Sequence, residues 1–237
     1  MGEAAATAQS AALASQVSTF KASLEAFALK YKASIKADPV FRAQFQGMCA
    51  AAGVDPLASN KGFWAQLLGF GDFYYELAVQ VVEACLAARQ HTGGLVELSR
   101  LVAAVRRRRG SLSAQVSEDD ILRAIAQLRA LGGGWDVLTV GTTRFVRSLP
   151  TELTKDGAQL LSHGSDTGGC LTCTLGVQLT GWPPRRVQEA LEGLLRDSVA
   201  WLDTGAADGE PRYWFPGLLF REAANGGGGG DEASQKA

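Results

Sequence analysis

The sequence predicts a mainly α-helical protein with small β wings: an N-terminal helical arm followed by two tandem winged-helix domains. Three observations lead there. The first is an apolar series near the start, Leu13, Val17, Phe20, Leu24, Phe27 and Tyr31, spaced 4, 3, 4, 3, 4. That is a heptad seam, the pattern by which one helix packs along another. The second is an element order of helix, short strand, helix, turn, helix and hairpin that occurs twice. The third is a shift of 66 residues that lays Ile121, Ala124, Ile125, Leu128 and Trp135 over Val187, Ala190, Leu191, Leu194 and Trp201. These coincidences fall at helical spacing and then on the first strand of each wing, the mark of a duplicated module. The division expected is an arm over 1–60, a first winged-helix domain over 61–150, a second over 151–222 and a glycine-rich, disordered tail over 223–237.

Residues 1–10 are alanine-rich and expected to fray. The seam that follows has two readings: a contact with a partner helix, or an amphipathic helix folded onto the chain's own body. Asp38-Pro39 ends this helix and starts the next, since Asp caps and Pro suits the first helical position. Val40, Phe41, Phe45, Met48 and Cys49 form a second apolar stripe, which Gly53 stops.

Residues 53–86 then pack Phe63, Trp64, Phe70, Phe73, Tyr74 and Tyr75 into one loop-to-helix junction. So aromatic a stretch needs burial on two sides, and it reads as the structural joint, carried by Phe63, Trp64, Gly71, Asp72, Phe73 and Tyr74. Asp72 is placed to cap a core helix running to about 89, broken by Thr92-Gly93-Gly94. A short apolar piece at Leu95-Val96, a helix over 97–107 and a helix over 117–131 come next. Ser117 with Asp120 resembles a capping box. Two β-rich runs, 135–140 and 144–147, flank Gly141-Thr142-Thr143 as a hairpin. The second module repeats this with helices over 151–163, 172–180 and 184–197, a short strand at Cys170-Leu171, and a hairpin from 199–203 and 212–215.

With 46% hydrophobic and 20% charged residues over 237, the composition is that of an ordinary globular protein. No run of about 18 apolar residues offers a membrane span. The start lacks a basic region followed by an apolar one, so no secretory signal is expected. Four cysteines in a chain this long fit a reducing compartment, the cytosol. Charge is uneven: residues 92–150 carry 9 Lys+Arg against 5 Asp+Glu, and 151–237 carry 7 against 12. The basic middle invites a nucleic-acid reading; the acidic last third argues against one extended phosphate-binding surface.

Candidate chemistry is sparse. Cys170 and Cys173, with His163 nearby, lack the second ligand pair a structural zinc needs. Gly69-Phe70-Gly71 has two glycines of a dinucleotide fingerprint but neither the preceding strand nor the third glycine. Neither His91 nor His163 sits in a nucleophile–base arrangement. No catalytic, cofactor or metal site is expected, and the protein is not expected to be an enzyme. The run Arg106–Arg109 precedes the first module's third helix, the one that would read DNA in a helix-turn-helix. That helix opens with Ser117-Glu118-Asp119-Asp120, carboxylates that would face phosphates. The arginines read otherwise as a solvated helix end that favours the helix dipole. The second wing holds Trp201, Tyr213, Trp214 and Phe215 within fifteen residues. A two-stranded wing alternates its side chains, so it cannot bury all four, and at least one is left for a partner.

Val54–Leu86, VDPLASNKGFW followed by LLGFGDFYYELAVQVVEACL, together with FRAQFQGMCAAAGVDPLAS and the PRYWFPGL end, closely resembles the vacuolar-sorting protein twenty-two (EAP-thirty) family of ESCRT-II subunits. The resemblance implies a non-enzymatic scaffold subunit of a heterotetramer that sorts ubiquitinated membrane proteins into multivesicular bodies, cytoplasmic and recruited to the endosome membrane. The partners implied are the related winged-helix subunit and the small winged-helix subunit, with ESCRT-III engaged indirectly, peripheral membrane contact through the complex, and no nucleic acid. Leu13, Val17, Phe20, Leu24, Phe27 and Tyr31 then become a partner-facing seam. Trp201, Tyr213, Trp214 and Phe215 become candidates for the pocket that takes a motif of the small subunit. The alternative is a winged-helix nucleic-acid-binding or transcription-associated protein. Arg106–Arg109 is more basic than the family's usual turn, and the basic helix the family carries upstream of the arm has no counterpart among these residues.

Overall fold

The computed structural model describes residues 2–54, 67–110, 115–130, 132, 134–149 and 153–219, with side chains from Ser15 onward except that of Ala130. Phe63 and Trp64 of the expected joint, the Leu13 side chain and the tail 223–237 lie outside the described residues. The chain forms two compact units: Met1–Val81 with Val102–Gln127, and Val82–Leu101 with Leu128–Ala237.

In the first unit, α1 spans Gly2–Ala37 and α2 spans Pro39–Ala51. Helix α1 reaches back through residues expected to fray, because Ala4, Ala5, Ala6 and Ala8 are the strongest helix formers available. It kinks at Tyr31, whose backbone (φ −108°, ψ 18°) leaves the helical region. The corner that follows is built as the sequence demands: Asp38 Oδ1 accepts from the Val40 and Phe41 N–H groups at 2.8 and 3.3 Å, and Pro39 takes the first helical position. Gly53, at φ +65°, closes α2, with the Val54 N–H reaching Cys49 O at 2.9 Å. Helix α3 spans Phe70–Thr92. It begins two residues before the expected cap, so Asp72 lies in the first turn, where its charge suits the helix dipole without capping. Helices α4, Leu98–Arg109, and α5, Glu118–Ala130, follow. Each of α3, α4 and α5 contributes residues to both units.

In the second unit, β1 (Leu95–Glu97), β2 (Trp135–Val140) and β3 (Thr143–Ser148) form an antiparallel sheet in the order β1-β3-β2. The hairpin turn is tighter than the sequence suggests: Thr143 pairs with Val140, leaving Gly141-Thr142 as a two-residue turn with Gly141 at φ +60°. Glycine at that first position is what such a turn requires. Helix α6, Lys155–Asp166, starts four residues later than expected, because Thr154 caps it by accepting the Gly157 N–H at 3.1 Å. Then come β4 (Cys170–Thr172), α7 (Cys173–Thr180), α8 (Pro184–Arg196), β5 (Trp201–Asp203), β6 (Arg212–Trp214) and the short α9 (Pro216–Leu219). The second sheet runs β4-β6-β5, the topology of the first.

Positions 66 residues apart have partly similar surroundings, with Ala124 buried and Ala190 only half-buried. Ile121, Ala124 and Ile125 are buried, as are Val187 and Leu191, while Trp135 and Trp201 open β2 and β5. Contact-defined units and chain-order modules follow different principles. The first hairpin and the segment from Leu153 onward share one core, in which Leu95, Phe145 and Leu149 join Leu160, Leu191 and Phe215. Two glycines permit that closeness. A Cβ on Gly93 (φ +61°) would lie 2.5 Å from Ser198 O, and one on Gly217 would lie 2.8 Å from Leu95 O.

Candidate partner-binding surfaces

A buried ion pair joins the foot of the arm to α5. Arg42, on α2, is 1% exposed and points its guanidinium at Asp120 on α5, with Nε to Oδ1 at 2.9 Å and Nη2 to Oδ2 at 3.0 Å. Nη2 also donates to Gln115 O at 2.7 Å, and Nη1 to Lys36 O at 2.7 Å and Ile35 O at 3.4 Å. The fork's five donors thus meet five acceptors. Tyr74 from α3 donates its hydroxyl to Asp120 Oδ1 at 2.8 Å, and Gln46 Nε2 donates to that hydroxyl at 2.8 Å. The Phe73 ring lies under two cations, with Arg42 at 4.7 Å and Arg109 at 5.4 Å from its centroid.

Asp120 closes the capping box as well. Its Oδ2 accepts the Ser117 N–H at 2.9 Å, and its own N–H donates to Ser117 Oγ at 3.2 Å. Burial alone pushes the Asp120 carboxyl upward. The hydrogen bonds from Arg42, the Ser117 N–H and the nearby guanidinium charge outweigh it and hold the group below the usual carboxylate range. Burial likewise raises the Tyr74 hydroxyl, helped by the Asp120 charge. Nothing in the sequence pattern singled out Arg42; the legible half of the pair was the Ser117–Asp120 spacing.

The arm seam divides in two. Leu24 is buried, Phe27 stacks on Phe41 and Phe45 with centroids at 5.8 and 6.2 Å, and Tyr31 meets Phe41 edge-on at 6.0 Å. That half is folded onto the chain's own α2. Val17 and Phe20 are 40% and 46% exposed, so at these two positions the seam is left open.

The second wing divides as alternation dictates. Tyr213 and Phe215 are buried in the core, and the Tyr213 hydroxyl accepts from Gln188 Nε2 at 3.1 Å. On the other face, Cys170, Trp214 and Trp201 form one row across β4, β6 and β5. Trp214 is half-buried in that row, while Trp201, on the edge strand, is 50% exposed with Leu202 beside it at 44%.

The arginine run is more engaged than a solvated helix end. Arg106 Nε donates to Val116 O at 2.7 Å, and Arg109 Nη1 reaches Glu76 Oε1 at 3.1 Å and Gln80 Oε1 at 2.8 Å. The start of α5 is not a bare acidic face either: Asp120 is buried against Arg42, and Asp119 accepts from Arg123 at 2.8 Å. Cys170 and Cys173 are free thiols, both pushed up chiefly by burial, the wrong direction for a nucleophile. Among the described residues no group of three or more His, Cys, Asp or Glu is placed to hold a metal, and no helix is long and apolar enough to cross a membrane.

The model of the EAP30/Vps36 family matches residues 2–204. Vacuolar protein sorting-associated protein 22 homolog 1 of Arabidopsis thaliana is 49% identical over 216 residues, covering 91% of this chain and 86% of its own length. The vacuolar-sorting protein SNF8 of Homo sapiens is 45% identical over 211 residues, covering 89% of this chain and 81% of its own. A chain in a solved structure of the ESCRT-II endosomal trafficking complex superposes with a TM-score of 0.71 at 30% identity, covering 90% of this chain and 96% of that one. A crystal structure of endosomal ESCRT-II containing VPS22, VPS25 and VPS36 gives 0.70 at 30%. By sequence along most of its length and by fold, the chain belongs to the EAP30/Vps36 family.

Proposed function

We infer that this chain is a non-enzymatic scaffold subunit of an ESCRT-II complex, acting in vacuolar and endosomal sorting, with two tandem winged-helix domains carried behind its arm. The observation that carries the inference is the match to a whole subunit of that complex: 96% of the neighbour's chain is covered at a TM-score of 0.71. Large apolar side chains left exposed on two separate elements support it, because scaffolds bury such residues against other subunits. The partners proposed are the VPS36-type and VPS25-type subunits. The exposed half of the arm seam, Val17 and Phe20, is assigned to the first and the Trp201 face of the second wing to the other. Trp201 and Trp214 supply the contact there, while Tyr213 and Phe215 hold the wing in shape. Recruitment to endosomes and the sorting of ubiquitinated membrane proteins into multivesicular bodies follow from membership of the complex.

Co-expression with VPS25- and VPS36-type subunits of the same organism tests this. The three chains are expected to co-elute as one assembly. A chain that elutes alone while the other two remain associated would falsify the reading.

A further inference from the structure

We propose that Arg42 is the positioning residue of the arm: its buried fork locks the end of α1 to the start of α5 and so fixes the direction in which the seam projects. The placement is electrostatically consistent at both ends. The guanidinium sits on Ile35 O and Lys36 O, in the last turn of α1, where orphan carbonyls gather the negative end of the helix dipole. Asp120 sits in the first turn of α5, at the positive end of that helix. The ion pair therefore bridges two helix ends, each carrying the sign of charge it favours. It is anchored sideways by Gln115 O and lies over the Phe73 ring, 4.7 Å from its centroid. Five hydrogen bonds in one plane define a direction; an apolar contact of the same size would define only a distance. Val17 and Phe20 lie further along α1, on the far side of its kink at Tyr31, so an angular error at residues 35–42 is carried along the arm to them together with whatever the kink sets.

The link from arm direction to assembly rests on the reading of the seam as a partner surface; the lock itself does not. The experiment uses the full chain with Cys170→Ala and Cys173→Ala, spin-labelled at Ser23→Cys on α1 and Ala126→Cys on α5. Pulsed electron–electron spectroscopy reads the label separation, and association with the VPS36-type subunit is measured in parallel. The parent is expected to give one narrow distribution. Arg42→Met combined with Asp120→Asn removes both charges together, so neither is left buried alone. It is expected to keep its helical content while the distribution widens at least twofold and association weakens about tenfold. Arg42→Lys keeps the charge without the fork and is expected to fall between. A double variant as narrow as the parent overturns the proposal. If that variant does not fold, the lysine variant decides, and an unchanged width there overturns it equally. A widened distribution with undiminished association sustains the lock and counts against the seam.

Discussion

At the scale of single residues, the Arg42–Asp120 pair carries consequences of two kinds. Both side chains are almost wholly buried, 1% and 2% exposed. Removing one partner leaves the other charge stranded, a loss of about 3–5 kcal/mol. Arg42→Met alone is therefore expected to lower stability far more than Arg42→Met with Asp120→Asn, and a thermal-melting series over the cycle checks it. The second consequence is a pH dependence. The folded carboxyl of Asp120 lies below its ordinary value. Its stabilising contribution is then complete above the unfolded value, about 4, and is lost as pH falls through the lower folded one. The stability gap between wild type and Asp120→Asn should hold from neutral pH to about 4 and close in stronger acid; a gap that closed near pH 6 would refute this. Gly93 makes a different demand. Its positive φ and the 2.5 Å approach of Ser198 O leave no room for a side chain. Gly93→Ala should cost more than the roughly 1 kcal/mol that the left-handed backbone alone imposes, as chemical denaturation can show.

At the scale of elements, the wing and the caps separate residues that shape the fold from residues that face outward. Phe215 is wholly buried and fills the space beside Gly164. Phe215→Ala should destabilise by about 3–5 kcal/mol. Trp201 stands half-exposed on an edge strand, and Trp201→Ala should leave the melting temperature within a few degrees while weakening capture of the VPS25-type subunit. Calorimetry and a pull-down on the same two variants test the pair: equal loss of stability, or no loss of capture for Trp201→Ala, would reverse the assignment. Thr154 is the cap that sets where α6 begins; its replacement by alanine should cost about 1 kcal/mol.

At the scale of the whole molecule, compactness does not follow the order of the chain. The hairpin over 135–148 and buried residues from Leu160 to Leu218 share one core. Substitutions in that core, such as Leu149→Ala, should therefore loosen residues 153–219 along with the first wing. Hydrogen exchange across β4 and β6 would register it, and protection there unchanged from the parent would contradict it.

Local chemistry made much of this architecture legible in advance. Period-2 and heptad patterns, capping residues and punctuating glycines act within a few residues of themselves, so the element order, the Asp38 corner and the Ser117–Asp120 box could all be read from the chain. The residues that carry the family resemblance are equally local. Arg42 carries no local signal because its partner lies 78 positions away, and no spacing rule links an arginine on one helix to an aspartate on another. The halves of the arm seam look alike in sequence, yet only Phe27 and Tyr31 find Phe41 across the corner. Likewise, four aromatics of one wing are equivalent in composition and are sorted into core and surface by strand register alone. The sequence by itself determined what each segment is, because helix, strand and cap are decided by neighbours. Only the tertiary structure decided which apolar and charged side chains remain for other molecules, because burial depends on what distant segments bring to the same place.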